Sequence, residues 1–574
     1  MSMKTSFIGQ RMKEFRRITS DWKLLICLLV AVMFLFIAII YPLLKVFGAF
    51  ASQGLKQVGD FIMSSINQKI MGNTLLLGSL VGFLGTALGF LFAYVQARVD
   101  VPFKKFFHFM ALLPVVSPPF AVATSAIVLF GRSGILTYKL LGLRYNIYGL
   151  DGLTFVLALS FFPVAYMNLL GMMQALDPAL DEAATNLGAS KWKVFKTITL
   201  PMLVPGIASS FLLLFVEAIA DLANPLVIGG DFTVLASRIY IAIIGEYNLT
   251  TGAILSVLLL VPSLTVFMLQ RYWVNRKSVI SVTGKPSGKT QLIKSPIRWI
   301  LFALVMILSL LILTIYGAVV LGAFTNLFGI DNTFTLEHFR FVLFGYGSKA
   351  MIDTSWLSLV ATPLAGLLAI LIAWLVVRKQ FAGRSLLDFT SMLGIAVPGT
   401  VLGIGYVLAF RSASEIAGIT ILPSLAGGSA FGSGAIAIIL AFIVRSIPAG
   451  VRSGVSSLQQ IDPAIEEASL SLGADNGITF RKITVPLIRP ALLTSLVYSF
   501  ARSMTSLSAI VFLTTPGTKI MTAQILNEVD AGRFGNAFAY CVILILIVLT
   551  VIGGLTRLIG KSHLSAGIEY GNIS

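Results

Sequence analysis

Cysteine, histidine and acidic side chains are scarce in this 574-residue chain, and each scarcity removes a class of chemistry. The two cysteines, Cys27 and Cys541, fall inside apolar runs near opposite ends, so neither a disulfide framework nor a thiolate metal site is expected. The three histidines, His108, His338 and His563, share no ligand spacing and read as structural or incidental. Convergent His/Asp/Ser groupings are missing as well, which leaves a membrane-embedded enzyme the weakest reading. Only 11% of residues are charged, and 42 Lys and Arg face 24 Asp and Glu, a formal net charge of +18. That surplus sits in short loops between apolar runs, a pattern explained by the positive-inside rule and not by phosphate binding, so no nucleic-acid partner is expected.

What the chain has in abundance is apolar length. Its mean hydropathy is +0.92, which describes an integral membrane protein surrounded by lipid bilayer. The first apolar run, at roughly 25 residues, is too long for a signal-peptide core and lacks a cleavage site, so it is expected to persist as a first span. Spanning-length runs lie near 23–48, 71–97, 107–131, 152–175, 207–229 and 253–274. A second set lies near 299–323, 355–377, 386–410, 433–455, 491–514 and 537–559. The fold class is therefore all-α and polytopic, with about twelve transmembrane helices.

Basic residues orient them. They cluster in the N-terminal tail (Lys4, Arg11, Lys13, Arg16, Arg17, Lys23) and after the second and eighth spans (Arg98, Lys104, Lys105; Arg378, Lys379, Arg384). They recur after the fourth and tenth (Lys191, Lys193, Lys196; Arg481, Lys482, Arg489). Twelve spans place all of these, and both termini, on the cytoplasmic side. The organisation expected is a first half over 1–274, a basic Ser/Gly/Pro-rich cytoplasmic linker over 275–298, and a second half over 299–574. The linker contains a decoy: Gly284 to Thr290 has the spacing G-x3-G-K-T, one residue short of a phosphate loop, and no strand precedes it. The chain is expected to carry no nucleotide site. An even number of spans per half makes the halves a parallel repeat about an axis along the membrane normal. SPPFAVATSAIVLF (117–130) and VPGTVLGIGYVLAF (397–410) repeat with an offset of 280, and Pro118 and Pro398 should kink or open the third and ninth spans.

The most informative repeat is polar. LDPALDEAATNLGASKWKVFKTITLP (176–201) returns without a gap as IDPAIEEASLSLGADNGITFRKITVP (461–486), 285 positions later. Each copy reads as a short helix after Asp-Pro, a glycine turn, and a second helix ended by proline on the cytoplasmic face. Alanines give a surface that a partner can approach closely. Two copies at the same place in a six-span unit argue for a docking surface.

The pattern E-A-A-x3-G-x9-I-x-L-P, present as Glu182, Ala183, Ala184, Gly188, Ile198, Leu200 and Pro201, resembles the EAA loop of type I ABC importer permeases. The second copy, with Glu467, Ala468, Gly473 and Pro486, departs at Ser469 and Val485. The resemblance covers the whole chain as two fused permease halves, with EAA loops at 176–206 and 461–491. It implies the type I ABC importer permease fold in two parallel six-helix repeats. It implies loops that couple to two copies of a cytoplasmic ABC ATPase, an extracytoplasmic solute-binding protein, and residence in a bacterial inner membrane. ATP and Mg would be bound by those ATPases, with no cofactor in this chain. Among fused permeases the chain resembles the ferric-iron group, on the fragments Ala223–Gly230 and Ser281–Pro286. Ferric iron is thus the expected cargo, and a phosphonate, sugar phosphate or thiamine-like solute the alternative.

Charges inside the spans are the other sites of interest. Glu217 and Asp221 lie four residues apart on one face of the fifth span. Each costs about 3 kcal/mol to insert, so both should face a polar interior. Glu217 plus 285 is Arg502, so the halves place opposite charges at equivalent positions; Arg445, in the tenth span, is a further candidate, with Ser160 its counterpart. Two readings stand open: these residues line the translocation path, or Glu217 and Arg502 form a pair that only holds the halves in register. As a proton or ion relay they would fit the rival class, an ion-coupled secondary transporter, which has no need of the duplicated loops.

Overall fold

In the computed structural model, residues 22–118, 120–274, 292–416 and 419–559 are described. The basic tail before Trp22, most of the linker with its decoy and the Ser281–Pro286 fragment, and His563 lie outside them. Ten described helices are long and apolar enough to cross a membrane, and twelve when each of two bent pairs counts as one span. They match the twelve expected from sequence in number and order, but the third is Phe120–Leu140 where 107–131 was expected and the fifth Lys191–Ala220 where 207–229 was expected.

The bends fall where prolines and the repeat place them. In the ninth span, Arg384–Ala396 and Gly399–Phe410 meet at 105°, with Pro398 capping the second segment. A proline there supplies no backbone donor, so the ladder stops and restarts. The third span breaks in the same way between Lys104–Val116 and Phe120–Phe130, beside Pro118. The fifth and eleventh spans stop early, at Ala220 and Thr505, and the chain then turns into short outer elements. Those end points are 285 residues apart, so the halves share this break. Short hairpins, β1 (Thr325–Leu327) with β2 (Asp331–Phe334) and β3 (Ser414–Ile416) with β4 (Ile419–Leu422), lie between spans at the end of the bundle away from the repeated loops.

Within each half the second and fourth spans, or eighth and tenth, pack along their length. The crossing is made by small residues, as helices without a hydrophobic drive between them require. In the first half a Cβ on Gly89 would lie 2.6 Å from Ala165 Cβ and 2.7 Å from the Tyr166 nitrogen. In the second half the roles are exchanged: Ala369 stands in the eighth span, and a Cβ on Gly450 in the tenth would lie 2.6 Å from it. Both crossings use one glycine and one alanine, on opposite helices.

The halves also interlock. The first span packs on the ninth: Tyr406 donates to the Ala38 carbonyl at 2.8 Å, and the Tyr41 and Phe410 rings lie 6.0 Å apart. Reciprocally, the seventh span packs on the third, with Tyr316 and Ser117 hydroxyls 2.5 Å apart and the Phe107 and Phe302 rings at 5.7 Å. Each half therefore lends its first span to the other, an exchange that the sequence pattern gave no sign of.

Candidate functional site

The two repeated loops fold alike. Asp177 caps the first helix, Pro178–Asn186, by accepting from the Ala179 nitrogen at 3.0 Å; Asp462 caps Pro463–Ser471 through Ala464 at 2.9 Å. Each helix ends in a Schellman turn. Ala189 donates to the Ala184 carbonyl and Gly188 to that of Thr185, at 3.0 and 2.9 Å; Ala474 and Gly473 repeat the pattern at 3.2 and 3.0 Å. The glycines have φ of +82° and +89°, in the left-handed region that a side chain resists. The space around both is open, so backbone strain and not crowding selects glycine here.

One expectation is corrected. The second helix of the first loop is not ended by its proline. From Lys191 the helix widens into a π turn at Phe195–Thr199 and runs on as Leu200–Ala220, with Pro201 in its first turn. The widened turn has already shifted the ladder, so the missing proline donor is tolerated. The second copy has the π turn at Phe480–Thr484, keeps Pro486 inside Val485–Leu487, and bends by 73° after it.

Two neighbouring acids in the loop divide the work. Glu182 and Glu467 are exposed, as are Ala183 and Ala468, while Ala184 is half-buried. Beside them Leu187 and Leu472 are each 89% exposed, a conspicuous cost unless covered by a partner. The preceding acids point inward. Asp181 pairs with Arg98, at the end of the second span, and Glu466 pairs with Arg378, at the end of the eighth, at 3.2 Å. Arg378 also donates to the Ile461 carbonyl at 3.0 Å, and Thr484 donates to Glu466 at 2.9 Å. Aromatic rings complete both anchors: Tyr94 meets Phe195 edge-on at 5.4 Å, and Trp374 meets Phe480 at 5.3 Å. The acids and the two phenylalanines are 285 residues apart; the arginines and the Tyr94/Trp374 pair are 280 apart. The same anchor is thus built twice, with arginine and phenylalanine kept and Asp181 and Tyr94 replaced by Glu466 and Trp374. Sequence reading took Arg98 and Arg378 only as topology markers; the signal available was that both arginines and both acids recur at the repeat offsets.

The departure at Ser469 has a local reason. Its hydroxyl is buried and lies 2.9 Å from that of Thr479. The first-half counterparts are Ala184 and Val194, so a polar pair replaces an apolar one at the same contact.

Within the membrane, the structure brings Glu217 and Arg502 together. Arg502 Nη2 lies 3.3 and 3.4 Å from the two Glu217 carboxylate oxygens, and the side chains are 26% and 27% exposed. Both line a cavity of about 40 Å³ with Asp221, Arg445, Thr505, Ser506 and Ser508. Asp221 does not face the cavity as a free carboxylate. Its Oδ2 accepts from the Asn224 backbone and side-chain nitrogens at 3.0 and 2.9 Å, which caps the short helix Ala223–Ile228. Arg445 Nη1 donates to the Gly394 and Val397 carbonyls at 3.0 and 3.2 Å, closing the end of the segment that precedes the ninth-span bend. The His108 ring lies 2.5 Å from the Tyr166 hydroxyl, and His338 binds Asn536. Among the described residues no group of three or more His, Cys, Asp or Glu side chains is placed to hold a metal ion.

Two interlocked six-span halves, each with an anchored loop of one design, define a transport permease that crosses the membrane many times. The chain belongs to the family described as binding-protein-dependent transport system inner membrane component, which matches it twice, over residues 85–280 and 365–562. It is 34% identical over 556 residues to the ferric transport system permease protein FbpB of Actinobacillus pleuropneumoniae, covering 94% of this chain and 78% of that one. A putative ferric transport system permease protein, FbpB 1 of Haemophilus influenzae, is 33% identical, with 90% and 82% covered. Among solved structures, a bacterial ABC transporter involved in alginate import is similar over 46% of this chain and all of its own, at 18% identity and a TM-score of 0.40.

Proposed function

We propose that this chain is the membrane-spanning core of an ATP-driven, binding-protein-dependent importer of ferric iron. The observation that carries the ATP-driven reading is the duplicated loop, whose apolar tip (Leu187, Leu472) and outward acid (Glu182, Glu467) are presented identically by the two halves. Each loop receives one copy of a cytoplasmic ATPase subunit, and those subunits bind ATP and Mg, while this chain binds no cofactor. A solute-binding protein delivers cargo from the other side of a bacterial inner membrane, and both termini lie in the cytoplasm. ATP binding draws the ATPases together and moves the loops. The anchors at Arg98 and Arg378 then carry that motion into the second and eighth spans, and hydrolysis resets the cycle. Iron as cargo is supported by the relatives named for ferric transport, which match nearly the whole chain.

The test is uptake of radioactive ferric iron into liposomes that contain this chain, its ATPase subunits and the loaded binding protein. Uptake should require ATP and both loops. Uptake driven by an ion gradient without the ATPase would overturn the ATP-driven reading. ATP hydrolysis stimulated by the binding protein carrying a different solute, without iron uptake, would overturn iron.

A further inference from the structure

We propose that Glu217 is a cargo-contacting carboxylate for a polyvalent cation on the axis between the halves, and that Arg502 is its tethered resident cation, displaced when the path opens. The inference rests on the import reading above. Its first ground is geometric. In a molecule built from two equivalent halves, a residue can touch its own equivalent only on the axis that relates them. Glu217 and Arg502 are such equivalents, 285 positions apart, and they are in contact at 3.3 Å. The pair therefore marks the axis, and in a parallel repeat that axis runs along the membrane normal, the direction of transport.

The second ground is what surrounds the pair. The fifth and eleventh spans both lose helical structure three residues beyond it, at Ala220 and Thr505. The cavity they share holds about 40 Å³, room for two or three waters. Its lining includes Thr505, Ser506 and Ser508, residues whose backbone and hydroxyl oxygens are of the kind that suits a hard cation. Irregular backbone at membrane depth is tolerated where it lines a polar cavity.

The third ground separates this pair from the other charges. Arg445 is committed to two carbonyls at the ninth-span bend, and Asp221 to capping its own short helix. Both partnerships are within one half and survive a separation of the halves. Of these four charges, only Glu217 and Arg502 bond each other across the two halves, so their contact must break when the halves part there. Breaking it takes the Arg502 charge away from Glu217 and leaves Arg445 the remaining cation on the cavity wall, with Asp221 just past the helix end at Ala220. A passing cation supplies the missing charge. When it leaves, Arg502 returns, and the axis is closed to other cations.

The test uses the full transporter in liposomes, with this chain as wild type, Glu217→Gln, Arg502→Gln and the double variant. Assembly with the ATPase is checked first for each. A pair that serves only structure predicts that the double variant, which has no unpaired charge, assembles and imports radioactive ferric iron at the wild-type rate. Charge exchange predicts that it assembles but that uptake falls about tenfold or more, the worth of one lost charge-assisted contact. The second readout is passive entry of Mn²⁺, without ATP or binding protein, followed by quenching of a trapped dye. Arg502→Gln should admit Mn²⁺ faster than wild type, because the tethered cation is gone and the carboxylate remains. Wild-type iron uptake by the assembled double variant overturns the proposal. If the wild-type complex carries no iron, the cargo reading fails separately, and the Mn²⁺ readout decides alone: faster entry through Arg502→Gln supports charge exchange, and wild-type tightness overturns it.

Discussion

Glu466→Gln tests the anchor that ties the second loop to its span. The glutamate bonds Arg378 at 3.2 Å and Thr484 at 2.9 Å, and the two ionic side chains are only 16% and 10% exposed. Breaking a fully buried pair costs about 3–5 kcal/mol. Here Arg378 keeps the Ile461 carbonyl, and the amide keeps one acceptor for Thr484, so about 2 kcal/mol is the expected loss. Spans inserted in the bilayer do not depend on this contact, so the loss should appear as local opening of the loop. A drop of 2 kcal/mol raises the open population about 30-fold, because 1.4 kcal/mol is a factor of ten. Hydrogen exchange at the backbone amides that follow Pro463 in the helix Pro463–Ser471 should quicken by that factor, while the tenth span, Ala435–Gln459, exchanges as before. Transport per ATP hydrolysed should fall as the loop moves without its span. Exchanging the charges, Arg378→Glu with Glu466→Arg, should recover part of both. Unchanged exchange in Glu466→Gln, together with wild-type coupling, would refute the idea that this pair transmits force.

The remaining predictions follow from the same contacts. Gly188→Val places a β-branched residue at φ +82°, at a cost of about 1–2 kcal/mol, and should lower the ratio of transport to hydrolysis while insertion and yield hold; Gly188→Asn should be milder. Ser469→Ala alone strands the buried Thr479 hydroxyl and should cost about 1–2 kcal/mol of loop stability by exchange, whereas Ser469→Ala with Thr479→Val reproduces the first-half pair and should be near neutral. Gly89→Ala drives a Cβ to 2.6 Å from Ala165 Cβ and 2.7 Å from the Tyr166 nitrogen and should lower the melting temperature, at a cost of about 1–3 kcal/mol; adding Ala165→Gly removes the first contact but not the second and should restore only part of it.

The membrane fold was legible because bilayer thickness imposes run lengths that nothing else in a chain imitates. Twelve spans, the proline breaks at 118 and 398 and the glycine turns at 188 and 473 all follow from local chemistry. Contacts between distant elements were legible only where the repeat supplied a ruler. Adding 285 to Glu217 gives Arg502, and the two do meet at 3.3 Å. The same arithmetic joins Asp181 to Glu466 and Arg98 to Arg378, but the anchor needs two different offsets, which hides it from a single-register comparison. The roles of Asp221 and Arg445 were not legible. Both act on backbone groups, Asn224 nitrogen and the Gly394 and Val397 carbonyls, and a sequence does not display which carbonyls a bent span leaves without donors. The end of the loop's second helix at Pro201 was misread for a related reason: proline stops a regular helix, but a π turn ahead of it removes the conflict.

The ion pair on the axis also gives a reason for the two halves to be one chain. In a dimer of identical subunits, whatever residue stands on the axis meets itself. Glutamate there would face glutamate at contact distance, and arginine would face arginine, each repelling its copy in a low-dielectric interior. A symmetric dimer can therefore hold a carboxylate on its axis only by keeping the halves apart, by protonating it or by binding a cation between the two copies. Fusion removes that constraint, because positions 217 and 502 can change independently, and this chain has opposite charges in the two places. The same independence appears where Gly89 and Ala165 in one half become Ala369 and Gly450 in the other, and where Ala184 and Val194 become Ser469 and Thr479. At those two sites the paired change keeps one contact filled. On the axis the change creates an attraction between the two halves where identical subunits would place like charges together.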